Sequence, residues 1–285
     1  MSRRTGSAWG MWAGAALLSA LAVAAAAGPA ATPDPARQDL DSIFDPPSPA
    51  HWMGTDALGR DLAARVVHGA RVSLAVGGMA AGLAVLLGVP LGGLAGYRGG
   101  WTDAAVSRLV EAVLSFPTLV LALALLAATP AWLAALPDAA RVGLVLGVAG
   151  WVPVARYVRG EFLRLSRSEM VQAARSVGGG HARVMARHIL PSALAPILVT
   201  AAFAVGSAIT FEAALSFLGL GVRPPTATWG GLLFEARHHV GRSWWLTLFP
   251  GAALFAAILG CNLLGEGIRD WLDPRPGGQE TLPDR

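Results

Sequence analysis

The sequence predicts an all-α polytopic membrane protein with six transmembrane helices. Hydrophobic residues make up 54% of the 285 residues, and charged residues make up only 14%. The mean hydropathy is +0.53, which argues against a water-soluble protein. Several apolar runs reach the roughly 20 residues that a helix needs to cross a bilayer. These runs are continuous, whereas the strands of a transmembrane barrel would alternate between apolar and polar residues.

The first predicted span has two interpretations. Arg3 and Arg4 precede an apolar, alanine-rich run over residues 8–27, and small residues lie around positions 25–31. This pattern is typical of a cleaved signal peptide, but it also fits a retained first span. The run is long for the apolar part of a signal peptide, which favours a retained span.

Polar or charged loops separate the other five spans. These spans are predicted at residues 72–96, 104–127, 142–158, 193–218 and 244–264. The second span is rich in glycine, which allows helices to pack closely in lipid. Proline is expected to kink the second span at Pro90, to bend the third at Ser115–Pro117 and to break the fourth at Pro153. Arg108 and Glu111 lie one helical turn apart, so we expect them to pair.

Two regions outside the spans have patterns of their own. Residues 29–50 are rich in proline and aspartate, which predicts an extended segment rather than a folded domain. Charged and apolar residues over positions 56–67 predict a short amphipathic helix that enters the second span. A re-entrant or surface helix is expected over residues 228–239, before the last span.

The spans divide the chain into three regions. Residues 1–69 comprise the first span and an extracytoplasmic segment, residues 70–270 form the main transmembrane domain, and residues 271–285 form a cytoplasmic tail. Six spans place both termini in the cytoplasm. This orientation puts nearly twice as many arginines on the cytoplasmic side as outside, in agreement with the positive-inside rule.

Composition and motifs exclude several function classes. The net charge is +4, but the arginines cluster in loops between spans, so membrane orientation explains them better than a nucleic-acid partner. The sequence contains no lysine, and a Walker A loop needs one to reach the phosphates of ATP. Any ATP that drives this protein must therefore bind another subunit. Paired aspartates and the patterns HExxH and GxSxG do not occur within a span, which argues against an intramembrane enzyme.

No metal or cofactor site is expected in this chain. His51, Asp56, Asp61 and His68 could suggest a metal site, but their spacing provides no close histidine pair or closed set of ligands. Cys261 is the single cysteine of the sequence, so an internal disulfide and a cysteine metal cluster are both excluded. It lies in an apolar run.

The most polar interruption of the apolar pattern lies at residues 168–191. Apolar residues recur at helical spacing on both sides of Gly178–Gly180, which predicts two short amphipathic helices joined by a glycine turn. A basic stretch of this kind could lie on anionic lipid. The alternative is a docking element for a soluble partner, which the residue pattern of the stretch favours.

The residues themselves resemble a known loop. Gln172-Ala173-Ala174, the following glycine, and Leu190-Pro191 resemble the EAA loop of the membrane subunits of binding-protein-dependent ABC importers. Gln172 replaces the usual glutamate, and His188 stands where isoleucine is common. The segments GTDALGRD, GARVSL and EAALSFLGLG resemble the dipeptide, oligopeptide and nickel branch of these importers, and in particular its second permease.

This resemblance implies a type I importer permease fold, with the EAA loop as a coupling helix. It implies a heterodimer with a related permease, two cytoplasmic ATPases that bind ATP and Mg²⁺, and an extracytoplasmic substrate-binding protein. Small residues in the loop would allow close approach to a partner, and arginines would make charged contacts at its rim. The residues assigned to ATPase coupling are Gln172, Ala173, Ala174, Arg175, Gly178, Arg183, Leu190 and Pro191.

Glu212 lies within the fifth predicted span, where a carboxylate is costly and often functional. It could belong to a translocation path, or it could be hydrogen-bonded to a neighbouring helix near the outer end. A stand-alone channel or ion-coupled transporter that uses Glu212 is the alternative from a different class. Within the importer interpretation, a peptide substrate is favoured over nickel, because the spans carry no histidine or thiol cluster that demands a metal.

Overall fold

The computed structural model describes residues 2–272, and the predicted tail at 271–285 lies almost entirely outside them. The described part of the chain is helical and contains no strand. Its helices are α1 (Ser2–Ala31), α2 (Leu62–Arg98), α3 (Gly100–Leu114), α4 (Thr118–Ala127), α5 (Ala131–Ala134), α6 (Asp138–Ser166), α7 (Glu169–Ser176), α8 (His181–Val184), α9 (Leu190–Phe217), α10 (Trp229–Ala236) and α11 (Trp245–Leu272).

The helices confirm the prediction of a multi-pass membrane protein. The five helices α1, α2, α6, α9 and α11 are long and apolar enough to cross a membrane. α3 and α4 meet at an angle of 85° and together pass the same test, so as one broken span they bring the number to the predicted six. The break lies at Ser115–Pro117, where the sequence predicts a bend. Arg108 and Glu111 form the expected ion pair at 3.0 Å, on the exposed side of α3.

Close packing of α2 on α6 forms the centre of the bundle. Glycines at helical spacing on α2 face the backbone of α6. A Cβ added at Gly92 would lie 2.2 Å from the carbonyl oxygen of Ala155, and one at Gly96 would lie 2.3 Å from that of Arg159. These distances leave no room for a side chain. α9 packs against α2, α6 and α11, and α1 packs mainly against α11.

The fourth span differs from its prediction. Pro153 does not break it, because α6 continues as one helix from Asp138 to Ser166. Proline removes one backbone N–H, and in a bundle the neighbouring helices support the turn that loses this hydrogen bond. Pro90 is likewise contained within a continuous α2.

The segment before α2 also differs from its prediction. The amphipathic helix expected over residues 56–67 is wrong in its first half, because α2 begins only at Leu62. Gly54 and Gly59 have φ angles of +77° and +67°, which a helix cannot contain. The Asp61 side chain caps α2 by accepting a hydrogen bond from the N–H of Ala64 at 2.8 Å.

No residue between 32 and 50 is buried, but hydrogen bonds from the N–H of Phe44 to the Asp56 carbonyl at 3.2 Å and from the N–H of Thr55 to the Asp45 carbonyl at 3.0 Å fold the second half of this segment with residues 51–61 into one loop. Within it, Thr55 and Asp56 are buried, and the indole N–H of Trp245 donates to the carbonyl of Thr55 at 3.1 Å. The loop therefore packs on the start of α11. The helix predicted before the last span is present as α10 and ends at Ala236, three residues before the predicted end, with Thr228 as its N-cap and Trp229 fully buried.

Candidate functional site: the coupling segment and the core of the bundle

The coupling segment, residues 168–191, forms the helix–turn–helix that its sequence predicts. Three glycines join α7 to α8, and a π-helical turn over Met185–Ile189 leads directly into α9. Pro191 lies in the first turn of α9, where its missing N–H costs least. The segment is therefore continuous with a transmembrane helix at its C-terminal end. At its other end only Arg167 lies between α6 and Ser168, the residue at the N-cap position of α7.

The glycines determine the geometry of the turn. Gly178 has a φ of +82°, the positive value expected from the sequence. Its N–H donates to the carbonyl of Arg175 at 2.9 Å, and the N–H of Gly179 donates to the carbonyl of Ala174 at 3.0 Å. These two hydrogen bonds form a Schellman motif, which satisfies the last carbonyls of α7. A Cβ on Gly179 would lie 2.5 Å from the Ala174 oxygen, so a side chain there would open the turn.

The inner face of the coupling segment is part of the apolar core. Val171, Val184 and Ile189 are fully buried, and they share one cluster with Val158 and Phe162 of α6. Burying an aliphatic side chain of this size contributes about 1.5–3 kcal/mol. These contacts hold α7, which is too short to be stable alone, against α6 and against the helix that begins with α8.

The outer face of the segment is open. Gln172, Ala173 and Arg183 are exposed there, and Val177 at the tip of the turn is 87% exposed. Small side chains and an exposed valine on a rigid turn form a surface that another protein can approach closely.

An aromatic side chain from α2 contacts both short helices. The hydroxyl group of Tyr97 lies 3.1 Å from Nδ1 of His181 in α8. The guanidinium carbon of Arg175 in α7 lies 4.9 Å from the centre of the same ring, which is within the range of a cation–π interaction. Arg175 thus contacts the ring while it remains exposed, and Arg183 is exposed at the rim without this contact.

Six of the eight residues assigned to coupling lie on α7, the glycine turn or α8. They are Gln172, Ala173, Ala174, Arg175, Gly178 and Arg183. The other two belong to the start of α9, where Leu190 packs against the apolar cluster and Pro191 is exposed. Sequence reasoning missed Tyr97, because it comes from a helix far away in the chain and no local pattern marks it.

Glu212 is fully buried in the last turns of α9, at the end farthest from the coupling segment. Its carboxylate accepts hydrogen bonds from the hydroxyls of Ser216 at 2.8 Å and Ser73 at 3.1 Å. The Ser216 hydroxyl in turn accepts a hydrogen bond from the N–H of Val222, and the Ser73 hydroxyl accepts one from the N–H of Trp229, each at 3.3 Å. The carboxylate therefore connects α9 to α2 and to the chain that enters α10. This geometry favours the structural interpretation of Glu212.

A cavity of about 320 Å³ lies between α2, the α3–α4 break, α6 and α9. Small and apolar side chains make up most of its wall, with a few hydroxyl groups among them. Lining residues from the four sides include Ala80, Ala84, Thr118, Gly150, Thr200 and Ser207. Phe211 also contributes, whereas the neighbouring Glu212 faces α2 instead. The volume is within the range of sites for small organic molecules, about 300–1,000 Å³.

The end of the bundle opposite to the coupling segment contains a buried ionic network. Arg60 donates to Asp56 at 2.7 Å and to Glu235 of α10 at 2.8 Å. Arg65 of α2 donates to the same oxygen of Asp56 at 2.6 Å and makes two hydrogen bonds to Glu235. Two positive and two negative groups balance each other, and the network fixes the loop before α2 against α10. Only the spacing of Asp56 and Arg60 could have indicated part of it from sequence.

The residues considered as a metal set do not converge. Nδ1 of His51 lies 2.9 Å from the carboxylate of Asp61, which also caps α2. Asp56 instead faces two arginines. Within residues 2–272, no group of three or more potential ligands is placed to hold a metal ion.

Residues 88–277 match the family of binding-protein-dependent transport system inner membrane components. The matched range begins within α2 and includes the α3–α4 break, the coupling segment and the helices that follow. The chain belongs to this family.

This permease is also similar to curated proteins over most of its length. It is 39% identical to the probable D,D-dipeptide transport system permease protein of Escherichia coli, over 88% of this chain and 82% of that protein. It is 37% identical to the dipeptide transport system permease protein of Bacillus subtilis, over 92% and 81%. It is 38% identical to a glutathione transport system permease protein of Pectobacterium atrosepticum, over 83% and 77%. The permease is thus a multi-pass inner-membrane subunit of an ABC importer.

Proposed function

We propose that this permease forms, with a second homologous permease, the path by which dipeptides or short oligopeptides enter the cell. The relatives are named for dipeptide, D,D-dipeptide and glutathione transport. The cavity between α2, α6 and α9 supports the proposal, because its volume and its mixture of apolar and hydroxyl groups suit a small organic solute.

The observation that carries the coupling part of the proposal is the two-sided coupling segment. Its inner face is buried in the core, its turn is fixed by a Schellman motif, and its outer face is open. A cytoplasmic ATPase docks on this outer face, and the second permease offers its own segment to a second ATPase. ATP and Mg²⁺ bind to those ATPases.

The proposed mechanism is alternating access. ATP binding brings the two ATPases together, and each coupling segment transmits this movement to the helices that continue from it. α6 and α9 adjoin the segment and line the cavity, so their rotation opens the cavity to the opposite side. ATP hydrolysis then returns the spans to the inward-open state.

The proposed orientation places the coupling segment and both termini in the cytoplasm. The loop at residues 32–61, α10 and the ionic network between them then lie outside. Because the network orders this loop, it presents a fixed surface to the extracytoplasmic substrate-binding protein.

The experiment that tests this function is affinity purification of the tagged permease from its native membrane in mild detergent. We expect a second permease and ATPase subunits at stoichiometric amounts, and a binding protein that binds peptides. Val177→Asp, at the exposed tip of the turn, is expected to lose the ATPases but to retain the second permease. Val240→Asp is the matched control, since Val240 is also exposed but lies near the opposite end of the bundle.

Three results would contradict parts of the proposal. If the permease purifies alone, even when candidate partner subunits are co-expressed with it, ATP-driven import is rejected. The ion-coupled transporter that uses Glu212 is then the better hypothesis. ATPases retained equally by both valine variants would reject docking on the turn. A co-purifying protein that binds nickel and not peptides would replace the peptide substrate with a metal.

A further inference from the structure

Tyr97 lies at a junction between three helices. It is the penultimate residue of α2, it is buried with 7% of the residue exposed, and it contacts α7 and α8 on the two sides of the glycine turn. The contact with α8 is polar, through the hydroxyl and Nδ1 of His181. The contact with α7 is a stacking of Arg175 on the ring.

The contacts with Tyr97 add support from a third helix, α2, to the coupling segment. α7 has only eight residues and is not stable without tertiary contacts, whereas α8 is the first turn of the helical stretch that continues into α9. The buried valines fix the inner face of the segment against α6. Tyr97 joins the segment to α2 as well, through a polar contact with His181 and a cation–π contact with Arg175.

α2 cannot move independently of α6 near Tyr97. The backbone of Gly96 lies against the carbonyl of Arg159, and that of Gly92 lies against the carbonyl of Ala155. Interfaces packed this closely transmit displacement as one body. α2 also lines the cavity with Ala80, Ala81 and Ala84, about four to five turns from Tyr97.

We infer that Tyr97 is a positioning residue, which holds the coupling segment on α2 so that a displacement of the segment moves the α2–α6 pair and the cavity wall. This inference rests on the proposed docking of an ATPase to the segment. In this arrangement the path from the ATPase to the cavity includes a side-chain contact as well as the chain connections to α6 and α9.

The test compares three variants of the complete importer, reconstituted in proteoliposomes with its ATPases and its loaded binding protein. Tyr97→Phe removes the hydroxyl and keeps the ring, whereas Tyr97→Leu removes both contacts. Tyr157→Leu is the matched control, because Tyr157 is the other tyrosine of the chain and is exposed on α6. The measured quantity is the number of peptides imported per ATP hydrolysed.

We expect Tyr97→Leu to assemble normally and hydrolyse ATP, but to import about tenfold fewer peptides per ATP, since a cation–π contact and a hydrogen bond are lost together. Tyr97→Phe should show a smaller loss, of about threefold, because only the hydrogen bond is missing. Tyr157→Leu should match the wild type. A wild-type complex that lacks ATPases would reject the proposed function itself.

Two results would overturn the role of Tyr97 while leaving the proposed function intact. One is an unchanged import ratio in assembled Tyr97→Leu. The other is a reduced yield of complex for both Tyr97 variants with a normal ratio in the complexes that remain, since that result describes a purely structural contact.

Discussion

Arg65 and Glu235 face each other at the end of the bundle opposite to the coupling segment, joined by two hydrogen bonds of 2.6 and 2.9 Å. Asp56 and Arg60 complete the network, and three of these four side chains are at least nine-tenths buried. Removing one member of a buried ion pair leaves its partner without compensation, which costs more than the pair contributes. The network should therefore be sensitive to single substitutions.

Replacing Glu235 by Gln leaves two arginines facing only Asp56. We expect the free energy of unfolding to fall by about 1–3 kcal/mol, less than for a fully buried pair because Glu235 is partly exposed. Thermal unfolding of the purified permease in detergent measures the change. Glu111→Gln is the control, because its pair with Arg108 is exposed, and its effect should be below about 0.5 kcal/mol. Equal effects of the two substitutions would contradict the assigned role of the network.

A second prediction concerns Glu212, which accepts hydrogen bonds from Ser73 and Ser216. Glu212→Ala leaves both buried hydroxyls without this acceptor, so we expect stability to fall by about 1–3 kcal/mol. Glu212→Gln keeps a carbonyl oxygen as an acceptor and should lose less. Peptide uptake, corrected for the amount of folded permease, should remain within about twofold of the wild type for Glu212→Gln, since a structural role needs no charge. Loss of uptake in folded Glu212→Gln protein would instead support an ion site.

The number and order of the spans could be predicted because each is a long apolar run, and this property is local. The errors arose where local patterns compete with packing. Pro153 was expected to break α6, but a bundle supports a helix with one missing hydrogen bond. Residues 56–61 have the spacing of a helix, yet Gly59 takes a positive φ and Asp56 turns toward two arginines.

In the candidate site, too, features set by local sequence could be predicted and contacts between distant residues could not. The two helices and the glycine turn of the coupling segment were predictable, because a triple glycine and helical periodicity are contained within 24 residues. The contact of Tyr97 with His181 was not, because it joins residues that are 84 positions apart. The cavity was not predictable either, since its walls come from five separate helices.

The close packing of α2 on α6 leads to a third prediction. At Gly92 a Cβ would lie 2.2 Å from the carbonyl oxygen of Ala155, whereas nothing lies within 4 Å of a Cβ at Gly82 on the same helix. Gly92→Leu is therefore expected to lose about 1–3 kcal/mol of stability or more through overpacking. Gly82→Leu should change it by less than about 0.5 kcal/mol. Thermal unfolding of the two variants in one detergent measures this difference in stability. Similar melting temperatures would contradict the packing of α2 on α6.

Two substitutions of Gly178 separate the effect of added charge from the effect of backbone conformation in the coupling segment. Aspartate and asparagine both tolerate a positive φ, so either can occupy the position with limited strain. We expect Gly178→Asp to abolish uptake while inserting normally, because it adds a charge to the docking surface. Gly178→Asn should retain part of the activity. Immunoblotting of membranes checks insertion, and normal uptake by well-expressed Gly178→Asp would refute the assignment.

The cavity can be tested by filling it. Gly150 of α6 lines the cavity, and nothing lies within 4 Å of a Cβ placed there, so Gly150→Leu adds a side chain to the cavity without displacing the helix. If peptides pass through this space, uptake should fall by about tenfold or more, because even one methylene changes discrimination in a closely fitting site by this order. The stability of the permease and its ATPase content should be unchanged. Gly160→Leu is the control, since Gly160 lies on the same helix, is equally open and is exposed outside the cavity. A similar uptake by both variants would show that the substrate takes another route.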